Sequence, residues 1–218
     1  MNMLSTRLCW FFATLTVLFV GGLAQATEAA EDIQKGEVAL TEIVLHDGSD
    51  TPAFSWFLGD AAEWRLPVRQ PEEVSGNEKV SIASGDQYGG KRLSFKGRGE
   101  GQAYLSSAQP QDLTAYEDAD AALVFLISVE QPPRRQAVLR MGCGYPCAGN
   151  ADITKLLKAL PVGEWLRLSL DMTCFVNQGL DTSHVVTPYL LMTKGRMGLQ
   201  VADIRIVPGM GSQATVRC

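Results

Sequence analysis

Cys143 and Cys147 lie four residues apart, with Gly144, Tyr145 and Pro146 between them, while Cys174 and Cys218 stand alone. Sulfur at such spacing supports three chemistries: metal ligation, thiol–disulfide exchange, or a structural cross-link. A zinc site wants a second close pair of Cys or His. Cys174 and Cys218 are isolated, and the only histidines, His46 and His184, are far apart. A thioredoxin-like centre wants Cys-x-x-Cys opening a helix in a βαβ setting, a spacing one residue tighter than this one. A staple remains the favoured chemistry, and an oxidising compartment would preserve it. Four cysteines admit three pairings. Cys143 with Cys147 is the expected bridge, with Gly144 and Pro146 supplying the turn; Cys174 and Cys218 are left to pair, tying down the C-terminus.

The compartment is read from the start of the chain. Arg7 supplies a positive charge, the stretch 8–23 is apolar, and Ala24-Gln25-Ala26 fits a small-residue cleavage site. The apolar run is shorter than the roughly 20 residues a spanning helix needs. The expected organisation is a signal peptide over 1–26, a flexible leader over 27–36, and a single domain over 37–218. Cys9 falls within the signal, which leaves an even four. The expected location is periplasmic or secreted, with no membrane association once the signal is removed. Loss of Arg7 moves the formal charge from −5 to −6. That balance argues against nucleic acid, whose phosphates want a basic face.

Other catalytic chemistry finds little support. Hydrolysis of a glycosidic bond needs two carboxylates across a cleft, but Glu72-Glu73 and Glu117, Asp118 and Asp120 read as solvated loop charges. A Gly-x-Ser-x-Gly elbow is missing. Gly97-Arg-Gly-Glu-Gly101 reads as a hairpin between strands. Sugar recognition fares better, because it needs aromatic planes beside a few polar forks. Trp56, Trp64, Tyr88 and Tyr104 sit in or next to loops and are the candidates, with Phe54, Trp56 and Phe57 crowded before Asp60. The competing reading makes these aromatics core plugs. Trp165, at the start of a strand, is read as packing. No cofactor is expected; Asp60, Asp86 and Asp203 are the donors that a structural calcium would use.

The elements that would carry these residues are short and mostly extended. About ten or eleven alternating or β-branched runs, separated by Gly, Pro, Asp and Asn, give the pattern of an all-β sandwich or barrel. The most apolar, 121–129, reads as a buried central strand. Pro188 marks an edge or a bulge. One helix is expected over 152–160, where Ile153, Leu156, Leu157 and Leu160 share a face, Asp152 caps and Pro161 stops. The cysteine loop would lead straight into this helix as a lid.

Three stretches carry a family resemblance: "DLTAYEDADAALVFLISVEQPP", "VLRMGCGYPCAGNADITKLLKALPVGEWLRLSLDMTCF" and "VTPYLLMTKGRMGLQVADIRI". They resemble the ExoP-type galactose-binding-like domain at the C-terminus of exo-1,3/1,4-β-glucan glucohydrolases of glycoside hydrolase family three. A fainter echo runs from Val38 through Ser107. The resemblance implies a jelly-roll β-sandwich. It also implies a non-catalytic module, because the catalytic residues of those enzymes belong to preceding domains. The expected function is a free-standing, carbohydrate-binding or carbohydrate-associated accessory module. Its partner would be β-glucan or another envelope glycan, or a glycoside hydrolase on which it docks. The alternative is a structural or protein-interaction module of the envelope without a sugar site.

Overall fold

In the computed structural model, residues 40–48 and 54–218 are described; the expected signal peptide and leader lie outside them. Alternating burial drives these residues into strands. In chain order they are β1 (Ile43–His46), β2 (Phe54–Gly59), β3 (Leu66–Pro67), β4 (Glu73–Val74), β5 (Val80–Ser84), β6 (Lys91–Lys96) and β7 (Gly101–Ser107). There follow β8 (Ala122–Gln131), β9 (Ala137–Gly142), β10 (Ala148–Asp152), β11 (Trp165–Asp171), β12 (Thr187–Thr193) and β13 (Arg196–Val207). One sheet runs β11-β8-β13-β6-β5-β4, with β1 also paired to β13; the other runs β10-β9-β12-β7-β2-β3. Every ladder pairing between these strands is antiparallel. This is an all-β sandwich, as the strand pattern predicts.

The core lies between the sheets. The first contributes Leu93, Phe95, Leu123, Phe125, Ile127, Leu199 and Val201; the second contributes Trp56, Leu58, Leu105, Leu139, Tyr189 and Leu191. Each side chain of this size stabilises the fold by about 1.5–3 kcal/mol on burial. The run 122–129 is apolar on both faces for a visible reason. Its odd-numbered residues fill the core, while Ala122 and Val124 face outward and are covered by Met210 and Ala214. That C-terminal segment also joins the sheet: the Val216 N–H donates to the Ser169 carbonyl, and the Asp171 N–H to the Val216 carbonyl, both at 3.0 Å.

Three helices appear where one was expected: α1 (Thr114–Asp118), α2 (Thr154–Ala159) and α3 (Thr173–Val176), with a 3₁₀ turn at Thr182–His184. Helices α1 and α3 are too short to show a period in sequence. Helix α2 is the expected one, shortened, with Ile153 and Leu157 buried. Asp152 is not its cap residue but the last residue of β10; its carboxylate accepts from the Thr154 N–H at 2.9 Å. The cysteine loop therefore enters β10 before the helix. The Gly97–Gly101 turn is no hairpin either, because β6 and β7 belong to different sheets. Pro188 does sit at a bulge, where the β12–β9 register slips between Thr187 and Leu190.

Asp60 shows how the loops are locked. It is fully buried, and its carboxylate accepts from the Ala62 N–H at 2.9 Å and the Asn77 N–H at 2.7 Å. Burial pushes its carboxyl up, but the Ser75 hydroxyl and the N–H groups of Ala62, Asn77 and Lys79 outweigh it and hold the group below the usual aspartate value. The folded state thus binds fewer protons than the unfolded one. The stability Asp60 confers is present above its ordinary value and is lost as pH falls through the lowered folded value. Asp60→Asn is expected to cost about 2 kcal/mol in urea unfolding at neutral pH, since the amide nitrogen meets an N–H donor. The gap from wild type should close as the pH is lowered through the carboxylate range.

Candidate functional site

The outer face of the six-stranded sheet is where polar and aromatic side chains converge. Residues paired across strands share a face, and register places one row across it. Asn150 pairs with Arg140, Arg140 with Leu190, Leu190 with Tyr104, and Tyr104 with Phe57. Their neighbours in chain, Ala151, Leu139, Leu191, Ala103 and Trp56, point into the core. A second row contains Val138, Met192 and Gln102. The first row opens into a cleft of about 230 Å³ lined by Arg65, Gln102, Tyr104, Arg140, Tyr145 and Leu190, among others.

The walls of this cleft are held by different means. On one side the Phe57 and Tyr104 rings stack at 5.4 Å and 16°, and the Arg65 guanidinium lies 4.7 Å from the Phe57 ring centre. The Tyr104 hydroxyl donates to the Trp64 carbonyl at 2.9 Å. Burial pushes that hydroxyl above its ordinary value, outweighing the nearby Arg65 charge, so it stays a donor. In the middle, Arg140 lines the cleft, and its Nε donates to Asn150 Oδ1 at 2.7 Å. On the far side stands the cysteine loop. The structure joins Cys143 to Cys147, and the Cys143 N–H donates to the Cys147 carbonyl at 3.1 Å. Gly144 takes a left-handed φ of 96° that only glycine adopts readily. The loop is anchored below, where Cys143 is buried, and presents Tyr145 fully exposed at its tip.

The four candidate aromatics do not share one surface. Tyr104 (6% exposed) lines this cleft and donates to the backbone carbonyl of Trp64 (48% exposed), whose side chain is not among the cleft's lining residues. Trp56 (7% exposed) points inward, edge-on to Tyr189 and His46, so its ring offers no face to a sugar. Tyr88 (57% exposed) belongs to the β5–β6 loop over the other sheet and packs edge-on against Trp165, 5.2 Å away. The three calcium-donor candidates also separate. Asp60 is held by backbone N–H groups, Asp86 pairs with Arg92 and Gln200, and Asp203 pairs with Arg205. Among the described residues no group of three or more His, Cys, Asp or Glu is placed to hold a metal ion.

The cleft is also lined by Tyr145, Arg65, Arg140 and Gln102, which sequence reasoning did not single out. The signal for Tyr145 was present: an aromatic inside a three-residue loop closed by sulfur. Chemically, the cleft offers an aromatic plane, guanidinium forks and an amide. Its described lining holds no carboxylate.

Comparison with known proteins fits this geometry. The fold is similar to the exo-1,3/1,4-β-glucanase ExoP of a Pseudoalteromonas species (TM-score 0.64, 17% identity), covering 78% of this chain and 21% of that one. The chain thus spans about a fifth of that enzyme's length. The extra C-terminal domain of ExoP on its own gives a TM-score of 0.63 at 17% identity, over 76% of this chain and 91% of the domain. The family 30 carbohydrate-binding module of a cellulosomal cellulase of Clostridium thermocellum gives 0.56 at 16% identity, over 78% and 99%. A family 11 module from the same organism, in complex with a β-1,3-1,4-mixed-linked tetrasaccharide, gives 0.51 at 14%, over 78% and 97%. A comparison with curated protein sequences finds no match. In sequence, the pattern of the ExoP C-terminal family, described as galactose-binding domain-like, matches residues 55–206, well over half of the chain. The chain therefore belongs to the ExoP C-terminal family of galactose-binding-like domains.

Proposed function

We propose that this chain is an exported, non-catalytic carbohydrate-binding module. It holds a β-glucan or related glycan across the outer face of the six-stranded sheet, between Arg65 and the disulfide-locked Tyr145. The observation that carries the reading is the cleft where Arg65, Gln102 and Arg140 stand beside the fully exposed Tyr145, with the buried Leu190 and Tyr104 as its floor. A sugar ring would lay its C–H face on Tyr145 while its hydroxyls accept from Arg65, Arg140 and Gln102. The glucan preference is supported by two relatives in fold, one a β-glucanase and one bound to a mixed-linked tetrasaccharide. Export is supported by the signal-like start of the chain and by two disulfides, which persist in oxidising compartments. A glycoside hydrolase is the natural partner, since the corresponding domain of ExoP is one part of such an enzyme. The alternative of a protein-interaction module would want a continuous apolar patch. Among the described residues the large exposed apolar side chains, Trp64, Val74, Tyr88, Tyr145 and Val162, come from β4 and four separate loops.

Calorimetric titration against laminarin, mixed-linkage glucan and peptidoglycan fragments tests the reading. Binding of at least one glycan is expected, and Tyr145→Ala should weaken it about tenfold, as loss of one stacking contact does, with an unchanged melting temperature. Tyr88→Ala should bind as wild type. Absence of binding to every glycan would sink the proposal.

A further inference from the structure

The outer face of the sheet does not end at the Arg140 row. Along β9 and β12 it continues through Val138 and Met192 to a second, separate hollow of about 380 Å³, whose walls include Glu100 as well as Arg135 and Lys194. That hollow shares Arg135 and Lys194 with a third, of about 430 Å³. The third is lined by Lys96, Arg98, Arg134, Arg135, Lys194 and Arg196, with glycines between them and no acid. From the cysteine loop to this end the path follows β9, six residues or about 20 Å at strand rise. It is long enough for a run of sugar units.

The basic end is built by three connections that pack backbone against backbone. They are the β6–β7 turn, the β8–β9 loop and the β12–β13 turn. The Arg134 N–H donates to the Arg196 carbonyl at 3.0 Å. A Cβ on Gly195 would stand 2.6 Å from the Arg135 nitrogen, and one on Gly97 would stand 3.1 Å from the Arg196 nitrogen. Glycine at both positions is what lets the arginines crowd. Six of the chain's 19 Lys and Arg thus line one hollow, in a protein whose formal charge is −5. The charge is concentrated, not general. Lys96 pairs with Glu78 at 2.9 Å and Lys194 with Glu100 at 3.7 Å. Among the described residues, Arg98, Arg134, Arg135 and Arg196 have no carboxylate within ion-pair distance. Four exposed arginines line this end without a paired carboxylate, and an anion with paired oxygens can meet their guanidinium groups bidentately.

Resting on the glycan reading above, we infer that this face prefers an anionic relative of such a glycan: a polysaccharide carrying carboxylate or sulfate groups, whose charged units occupy the Arg98–Arg135–Arg196 end, with neutral β-glucan held more weakly by the cleft alone. The place of this end on the same sheet face as the glycan cleft favours a polysaccharide, and the acidic net charge disfavours nucleic acid. The test titrates the purified protein with six-unit oligogalacturonate and with laminarihexaose. The acidic oligosaccharide is expected to bind about tenfold tighter at low salt and to lose that advantage near 0.5 M NaCl, where exposed charges are screened. The triple variant Arg98→Gln, Arg135→Gln, Arg196→Gln should lose the advantage too, while keeping laminarihexaose affinity, which shows the variant is folded. Equal affinity of wild type for the two oligosaccharides would overturn this inference and leave the glycan reading standing. Equally tight binding of a single-stranded DNA oligonucleotide or of anionic phospholipid vesicles would also overturn it. Failure of both oligosaccharides to bind would remove the glycan reading itself.

Discussion

Breaking the Cys174–Cys218 bond is expected to lower the melting temperature by about 10 °C. The bond closes a loop of 44 residues, for which the chain-entropy account gives about 4 kcal/mol. In a domain of this size each kcal/mol moves the midpoint by about 2–4 °C. The structure shows what else is at stake. Cys174 is buried in α3, and the residues leading to Cys218 cover the outward side of β8 and hydrogen-bond along β11. Freed of the bond, that segment loses its tether, and Ala122 and Val124 become exposed whenever it lifts. Cys143–Cys147, by contrast, spans only four residues and is expected to contribute about 2 kcal/mol or less. Its loss should register chiefly in glycan affinity, because it fixes Tyr145. Scanning calorimetry of Cys174→Ala/Cys218→Ala beside Cys143→Ala/Cys147→Ala checks both statements. Equal melting temperatures for wild type and the first variant would contradict the account.

Gly149→Ala carries the next largest expected effect. Helix α3 crosses β10 at this residue, so closely that an added Cβ would lie 2.2 Å from the Phe175 carbonyl oxygen and 2.5 Å from its Cα. Both are backbone atoms of a buried helix and cannot rotate away. Either the helix lifts off the sheet or β10 peels from β9. Overpacking of this kind costs about 3 kcal/mol, and the cysteine loop joining β9 to β10 would move with it. Gly144→Ala makes a useful contrast. Nothing lies within 4 Å of an added Cβ there, and only the left-handed φ is strained, a cost of about 1 kcal/mol. Urea unfolding of the two variants should show a clear order, Gly149→Ala the less stable. The reverse order would mean that the α3–β10 contact is looser than described.

Much of this fold could be read from residue order alone. Strands with strict alternation, such as Leu166, Leu168 and Leu170 in β11 or Leu93 and Phe95 in β6, declare both their period and their buried face. Segments whose structure depends on a neighbour did not declare themselves. Ala148–Asp152 contains no strong strand former, yet it pairs along β9, and its small residues answer the crossing of α3. Phe54–Gly59 has large side chains on both faces. Phe54, Trp56 and Leu58 go inward and Phe57 outward. Alternation shows which of them share a side, but not which side the second sheet covers. That ambiguity placed Trp56 among the binding candidates. The cleft was harder still, since Arg65, Gln102, Arg140 and Tyr145 come from four separate segments that only sheet order brings together. Of the four aromatic candidates only Tyr104 lines the cleft; Trp64 meets it through its backbone carbonyl.

The central claim is that the outer face of the six-stranded sheet, beneath Tyr145, is the surface that meets a glycan. Chemical-shift mapping of the labelled protein during titration with a bound oligosaccharide tests it most directly. The account predicts perturbations confined to Arg65, Gln102, Tyr104, Arg140 and the Cys143–Cys147 loop, extending toward Val138 and Met192, with Tyr88 and Trp165 unmoved. Shifts centred on Tyr88 and Trp165, with the Arg140 row silent, would place recognition on the opposite sheet and contradict it.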